Sequence, residues 1–302
     1  MRFEDCLPER LVQRTLTPAQ GVLQQIKDEA TGKRYAVEWP FTLLSSSTKA
    51  LLPSTVTLVC GTPGSGKSWF MVQALTHWIS KGIRVAMLEL EADRKFHLRR
   101  ALAQIAGAPH ITDDVWCKEN TEQAEYLYHQ HAAQLEDVGS ALYDSPNRPM
   151  ACMDILNWIR EMATKGARVI CIDPITAMSP SQKPWIDDQM LLTEARKIVD
   201  AAGASLVLVT HPKKAFQGPP SLDSLAGGAA YGRFSDTAIW LKSIHPAEEK
   251  NCQTSMGTTS YAINRSVLLC KVRSGRGSGW ELAYQFEPST LTFIERGVIV
   301  DD

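Results

Sequence analysis

Thr55-Val56-Thr57-Leu58-Val59-Cys60-Gly61-Thr62-Pro63-Gly64-Ser65-Gly66-Lys67-Ser68 is an apolar run closed by the pattern G-x-x-x-x-G-K-[ST]. Residues 55–60 have the length and β-branched content of a buried strand. Gly61, Gly64 and Gly66 then turn the chain, and a helix is expected from about Lys67. A strand, a glycine-rich turn and a helix start are the context in which backbone N–H groups converge on phosphate oxygens. Gly64 and Gly66 permit angles and close approach that a β-carbon would block. In that arrangement Lys67 neutralises the β and γ phosphates, and the Ser68 hydroxyl holds Mg²⁺. The stretch Gly61, Thr62, Pro63, Gly64, Ser65, Gly66, Lys67, Ser68 and the adjoining Trp69 is therefore the expected binding segment for a nucleoside triphosphate, ATP with Mg²⁺.

Working outward, strand-like runs at residues 84–90, 168–172 and 205–210 alternate with helical patterns at 67–81, 93–106, 150–165 and 187–202. This alternation predicts an α/β fold with a mostly parallel central sheet flanked by helices. Residues 121–137 form one more amphipathic helix. After Ala238 the texture changes: strand-like segments at 237–241, 260–264, 267–272, 281–286 and 291–294 follow one another without helices. They predict antiparallel strands added at the C-terminal end, with Ser274-Gly275-Arg276-Gly277-Ser278-Gly279 as a turn between two of them. Residues 1–48 are mixed and polar, with a helix-like piece at 19–30, and are expected to be an N-terminal arm or linker. Residues 49–302 are the expected ATPase domain.

The chain has 302 residues, 44% hydrophobic and 22% charged, with a net charge of −1. That is ordinary globular composition and argues against a strongly basic nucleic-acid binder, although a local basic channel needs no net charge. None of the seven cysteines forms a C-x-x-C pair; Cys60, Cys171 and Cys270 fall in or at the end of strand-like runs, as buried thiols do. A reducing, cytoplasmic location is expected, with no signal peptide and no run of 18 apolar residues to cross a membrane.

Four further strand segments carry candidate chemistry. Arg168-Val169-Ile170-Cys171-Ile172-Asp173 ends in a carboxylate at the sheet edge where open α/β sheets bind ligands, and Asp173 is expected to hold Mg²⁺ through water. Its alternative is a cap on the next turn. Val85-Ala86-Met87-Leu88-Glu89-Leu90-Glu91 offers an acid to orient or deprotonate the attacking water. Glu91 is preferred and Glu89 held in reserve, because alternation puts both on one face of an ideal strand; Glu91 could instead be a first-turn acid of the next helix. His211, after residues 206–210, would lie beside the γ-phosphate or else simply turn the chain. In Cys270-Lys271-Val272-Arg273, Lys271 and Arg273 share one face: a solvated edge within one chain, or cations reaching a neighbour's γ-phosphate, where an arginine finger contributes about a thousandfold or more in rate.

Taken together these residues resemble the RecA-like ATPase domain of DnaB-type hexameric replicative helicases, including the shorter RepA-type plasmid helicases. The resemblance runs from about Tyr35 to the C-terminus. Glu91 falls on the glutamate of the family's "S-L-E-M" phrase. Leu142-Tyr143-Asp144-Ser145-Pro146 resembles "D-D-T-P", and Ile172-Asp173-Pro174-Ile175-Thr176-Ala177-Met178 resembles "I-D-Y-L-Q-L-M". His211 takes the place of the γ-phosphate sensor. Ser221-Leu222-Asp223-Ser224-Leu225-Ala226-Gly227-Gly228 resembles "S-D-L-R-E-S-G", and Lys271-Val272-Arg273-Ser274-Gly275 resembles "K-x-R-N-G", whose lysine and arginine act on the neighbouring subunit. The resemblance implies a ring, usually a hexamer, that binds single-stranded DNA and works with an initiator, primase or loader.

It also implies two channel-facing loops. Residues 179–187 carry Lys183, and the loop after His211 carries Lys213 and Lys214, with Arg233 nearby in sequence. Such cations would grip phosphates in a salt-dependent, sequence-independent way, or be solvated loop residues. Two departures stand out: the chain has room only for a short arm where DnaB proteins carry a collar domain, and Phe216-Gln217-Gly218-Pro219-Pro220 is inserted. A RecA-like switch that assembles and recruits a partner without unwinding is the competing expectation. A helicase loader of the AAA+ class is disfavoured, because it needs a helical lid where this chain has strands.

Overall fold

The near-continuous apolar runs of the first two hundred residues become strands buried on both faces. The computed structural model describes residues 17–49, 51–146, 148–213, 218–226 and 229–300; Lys214, Phe216, Gln217, Gly227 and Gly228 lie outside them. The chain divides into two compact units, Met1–Tyr35 and Ala36–Asp302. In the first, α1 (Pro18–Ala30) starts on a capping box: Thr17 accepts from Gln20 N, Gln20 returns to the Thr17 N–H, and Pro18 sits in the first turn.

The second unit runs α2 (Thr42–Thr48), β1 (Val56–Gly61), α3 (Lys67–Ser80), β2 (Val85–Glu89), α4 (Arg94–Ala106), α5 (Asp114–Glu119), α6 (Thr121–Ala141) and β3 (Leu142–Asp144). It continues through α7 (Cys152–Thr164), β4 (Val169–Asp173), α8 (Pro184–Ala202), β5 (Ser205–Thr210) and α9 (Ala229–Phe234), and closes with β6 (Thr237–Thr254), β7 (Gly257–Val272), β8 (Glu281–Glu287) and β9 (Thr292–Ile299). All strands join one sheet in the order β3-β2-β4-β5-β1-β6-β7-β8-β9. The pairings from β3 to β6 are parallel, and those from β6 to β9 antiparallel.

Alternation within the parallel strands feeds two cores. Val59, Cys171, Val207 and Val209 face α3, meeting Phe70, Met71, Leu75 and Trp78. Leu58, Ile170, Ile172, Leu206 and Leu208 face the other way, meeting Ile155, Leu156 and Ile159 of α7 and Leu191, Leu192 and Val199 of α8. Burial pushes the Cys60 thiol up to about 12, as a structural cysteine requires.

Two boundaries differ from the sequence expectation. Residues 37–48 pack into the first core rather than forming an arm: Trp39, Phe41 and Leu44 are buried. Phe41 stacks on Phe70 at 4.8 Å, and Trp78 Nε1 donates to Glu38 O at 2.8 Å. Scattered aromatics without periodicity hid this segment. The segments expected at 260–264 and 267–272 are one strand, β7, paired with the 18-residue β6 through a turn at Ser255 and Met256. The outer half of that ribbon is largely exposed, so its sequence lacks the one-sided alternation that betrays a strand. Among the described residues no helix is long and apolar enough to cross a membrane.

Candidate nucleotide-binding site

Because β1, β2, β4 and β5 are parallel, their C-terminal ends open on one edge. The order β4-β5-β1 makes this edge a switch point, where successive connections leave to opposite faces. The loop after β1 turns there through Gly64 (φ 78°) and Gly66 (φ 95°), a left-handed conformation that favours glycine at both positions. Gly66 stands at the N-cap of α3 with no side chain capping the helix. The first-turn N–H groups are thus left for an anion. A β-carbon on Gly66 would come within 2.8 Å of the Phe293 ring.

A cleft of about 310 Å³ forms over this loop. Pro63, Gly64, Gly66, Lys67, Ser68 and Trp69 line its floor, and Asp173, Glu91 and His211 come from the ends of β4, β2 and β5. Lys67 is buried and its Nζ donates to Gly61 O at 2.6 Å and Thr62 O at 3.2 Å. Burial holds it below the usual lysine range, against the pull of Cys60 and Asp173. Burial, reinforced by Glu89, pushes Asp173 up to about 7, and its Oδ2 has no hydrogen-bond partner. A buried pocket with one lysine and one unpartnered carboxylate oxygen fits a magnesium-bound triphosphate, which supplies the missing charge of both signs.

The structure separates the two glutamates. β2 ends at Glu89, which is buried with its Oε2 2.8 Å from His97 Nε2. Burial pushes Glu89 up to about 8, with Asp144 adding to it, and pushes His97 down to about 4, so burial favours the uncharged form of each. The backbone bends after Glu89, and Glu91 swings into the cleft with a side chain 70% exposed. Its Oε2 lies 3.9 Å from His211 Nε2. Burial, followed by the nearby Lys67, holds His211 below the usual histidine range.

Other expected residues stand apart from this cleft. Lys271 Nζ donates to Gly232 O at 2.6 Å, and Arg273 Nη2 donates to Arg233 O at 2.8 Å while its Nη1 sits 3.5 Å from Asp236 Oδ1. Lys183, Lys213 and Arg233 are exposed. Three cleft residues were missed by sequence reasoning. Arg100 of α4 lies over Trp69 at 4.5 Å and Phe96 at 3.8 Å; Arg265 of β7 lies 5.5 Å from the Phe286 ring of β8. They belong to no local motif, and only the sheet's antiparallel extension brings Arg265 and Phe286 over the loop.

Residues 33–217 match the family described as "AAA domain". The chain belongs to that family. This AAA-domain chain also superposes on solved structures. It matches "ATPase Domain of G40P" with a TM-score of 0.69 at 14% identity, covering 92% of this chain and 98% of that one. It matches "The Structure Of A DnaB-Like Replicative Helicase And Its Interactions With Primase" with a TM-score of 0.67 at 15% identity, covering 90% of this chain and 66% of that one. The fold is accordingly that of the RecA-like ATPase domain of DnaB-type helicases, with a mostly parallel sheet and antiparallel strands at its C-terminal end. No curated protein matches the chain.

Proposed function

We propose that this chain is an ATP-driven DNA helicase or translocase, whose unit Ala36–Asp302 hydrolyses ATP at the interfaces of a homo-oligomeric ring, a hexamer, to move on single-stranded DNA during replication. The observation that supports it most is the meeting of Lys67, Asp173, Glu91 and His211 in one cleft at the switch point. Magnesium, when bound, would screen the phosphate oxygens and be held by Ser68 and Asp173. Lys67 exchanges its two carbonyl partners for phosphate oxygens. Glu91, exposed at the end of its bend, takes the proton of the attacking water. His211 stands between Glu91 and the loop that carries Lys213, so a change in its hydrogen bonding reaches that loop through Pro212, which bridges to Leu225.

Lys271 and Arg273 point away from their own cleft, and their partners are carbonyls and one shared carboxylate. A neighbour's phosphates would be stronger partners. Lys183, Lys213 and Arg233, exposed on the two loops and α9, supply the grip on DNA, with Lys214 as a further candidate. An initiator, primase or loader is the partner class this reading implies.

The test is the steady-state ATPase rate with and without single-stranded DNA, over a protein concentration series, at two salt concentrations. A rate that climbs with both DNA and protein supports a ring-forming motor. A rate indifferent to DNA would move the assignment to an ATP switch that assembles and recruits a protein partner.

A further inference from the structure

Beside the cleft, three ionisable side chains converge, and the proposed reaction uses only one of them. Glu89 and Asp173 end neighbouring parallel strands in register. His97, in the first turns of α4, reaches back so that its Nε2 is 2.8 Å from Glu89 Oε2. One donor atom from each of the three lies within 4.8 Å of the others, the one such cluster among the described residues. All are more than nine-tenths buried, at 1% (Glu89), 2% (His97) and 7% (Asp173) exposure. Each also keeps an atom without a hydrogen-bond partner: Glu89 Oε1, His97 Nδ1 and Asp173 Oδ2. Native interiors seldom leave three such atoms together without a use for them.

We propose that Glu89, His97 and Asp173 form a buried site for a first-row transition-metal dication, separate from the magnesium position that Ser68 and Asp173 would give a triphosphate. The donor set is one imidazole and two carboxylates. Magnesium prefers all-oxygen shells and keeps its waters, whereas a nitrogen donor suits zinc, cobalt or nickel. Metal–ligand bonds of about 2.0–2.2 Å place neighbouring donors about 3 Å apart, close to the observed His97–Glu89 separation. An oxygen of Asp173 lies within 4.8 Å of both. Burial favours the neutral imidazole, the form that ligates. A cation here would balance the charge of both buried carboxyl groups once they ionise, and because Asp173 is shared it would fix that side chain's orientation toward the nucleotide. The position of magnesium rests on the proposed function; the uptake of a transition metal does not.

The probe is Co²⁺ added to the nucleotide-free full chain, followed by its visible d–d absorption and by calorimetry. One equivalent should bind, be displaced by Zn²⁺, and resist a large excess of Mg²⁺. His97→Gln and Glu89→Gln, which preserve size, should each weaken uptake at least tenfold, and Ser68→Ala should leave it unchanged. Far-UV circular dichroism and the urea midpoint report whether the variants are folded. The proposal is overturned if the wild-type chain takes up no stoichiometric Co²⁺, if both buried-site variants bind it as wild type does, or if Ser68→Ala abolishes uptake. A chain that binds Co²⁺ in the expected pattern but not ATP would retain this site and discard the nucleotide function; the reverse result would do the opposite.

Discussion

At the scale of single residues, the division between Glu89 and Glu91 is decided by where a strand stops. Two glutamates two positions apart share a face of an ideal strand, so alternation offers no choice. β2 ends at Glu89, and the bend over residues 90–92 buries one acid and exposes the other. Glu91→Gln should therefore keep ATP binding while turnover falls by about 10²–10⁴, the usual contribution of a positioned base; rapid-quench hydrolysis beside a nucleotide-binding titration separates the two. Normal turnover in that variant would remove Glu91 from the reaction. The glycine-rich turn between β1 and α3 was legible from the sequence because its signature is written in consecutive residues. Arg100, Arg265 and Phe286 were not, since each reaches the cleft from a separate element and obeys no spacing rule.

At the scale of elements, the parallel strands were legible because burial on both faces makes them apolar throughout, while α2 was not. Its N-cap, Phe41, offers no side-chain acceptor. Glu295 of β9 does the capping instead, accepting from Leu43 N at 2.6 Å and Leu44 N at 2.9 Å, with Tyr284 Oη donating at 2.8 Å. A cap supplied from some 250 residues away leaves no local signature. Glu295→Ala strands two N–H groups and a buried hydroxyl, and should cost about 1–3 kcal/mol in urea unfolding; a change below experimental error would show that water replaces the carboxylate. The packing of α9 on α8 has its own signature. Tyr231 Oη donates to Asp188 Oδ1 at 3.2 Å, and burial pushes Asp188 up to about 6 against that hydrogen bond. The folded state thus holds the proton more tightly than the unfolded chain, where an aspartate titrates near about 3.9. The stability from this group is full below about pH 4 and is lost as pH rises through about 6. Asp188→Asn, neutral throughout, should gain in urea midpoint relative to wild type between pH 4.5 and pH 7.5. A difference that stays flat with pH would show that Asp188 is ionised across the range.

At the scale of the whole molecule, the net charge of −1 conceals an uneven distribution. Lys67, Arg100 and Arg265 crowd one cleft, while Lys271 and Arg273 sit together near Asp236 and away from it. Asp236 is already satisfied without Arg273: it accepts from Val56 N at 2.9 Å and from Arg196 Nη2 at 3.0 Å. Arg273 is therefore an accessory partner there, and its half-exposed guanidinium can leave at little cost. If it serves the neighbour's phosphates, Arg273→Ala should bind ATP normally and lose about a thousandfold in turnover. Lys67→Ala should instead lose binding at its own cleft while still offering an intact Arg273 to the next subunit. Neither variant alone has a complete interface. Mixed, they produce some interfaces that join an intact Lys67 cleft to an intact Arg273, and ATPase activity should reappear, rising to a maximum near equal proportions. Activity that merely averages the two parents would place Arg273 with Asp236 as a structural residue of its own chain.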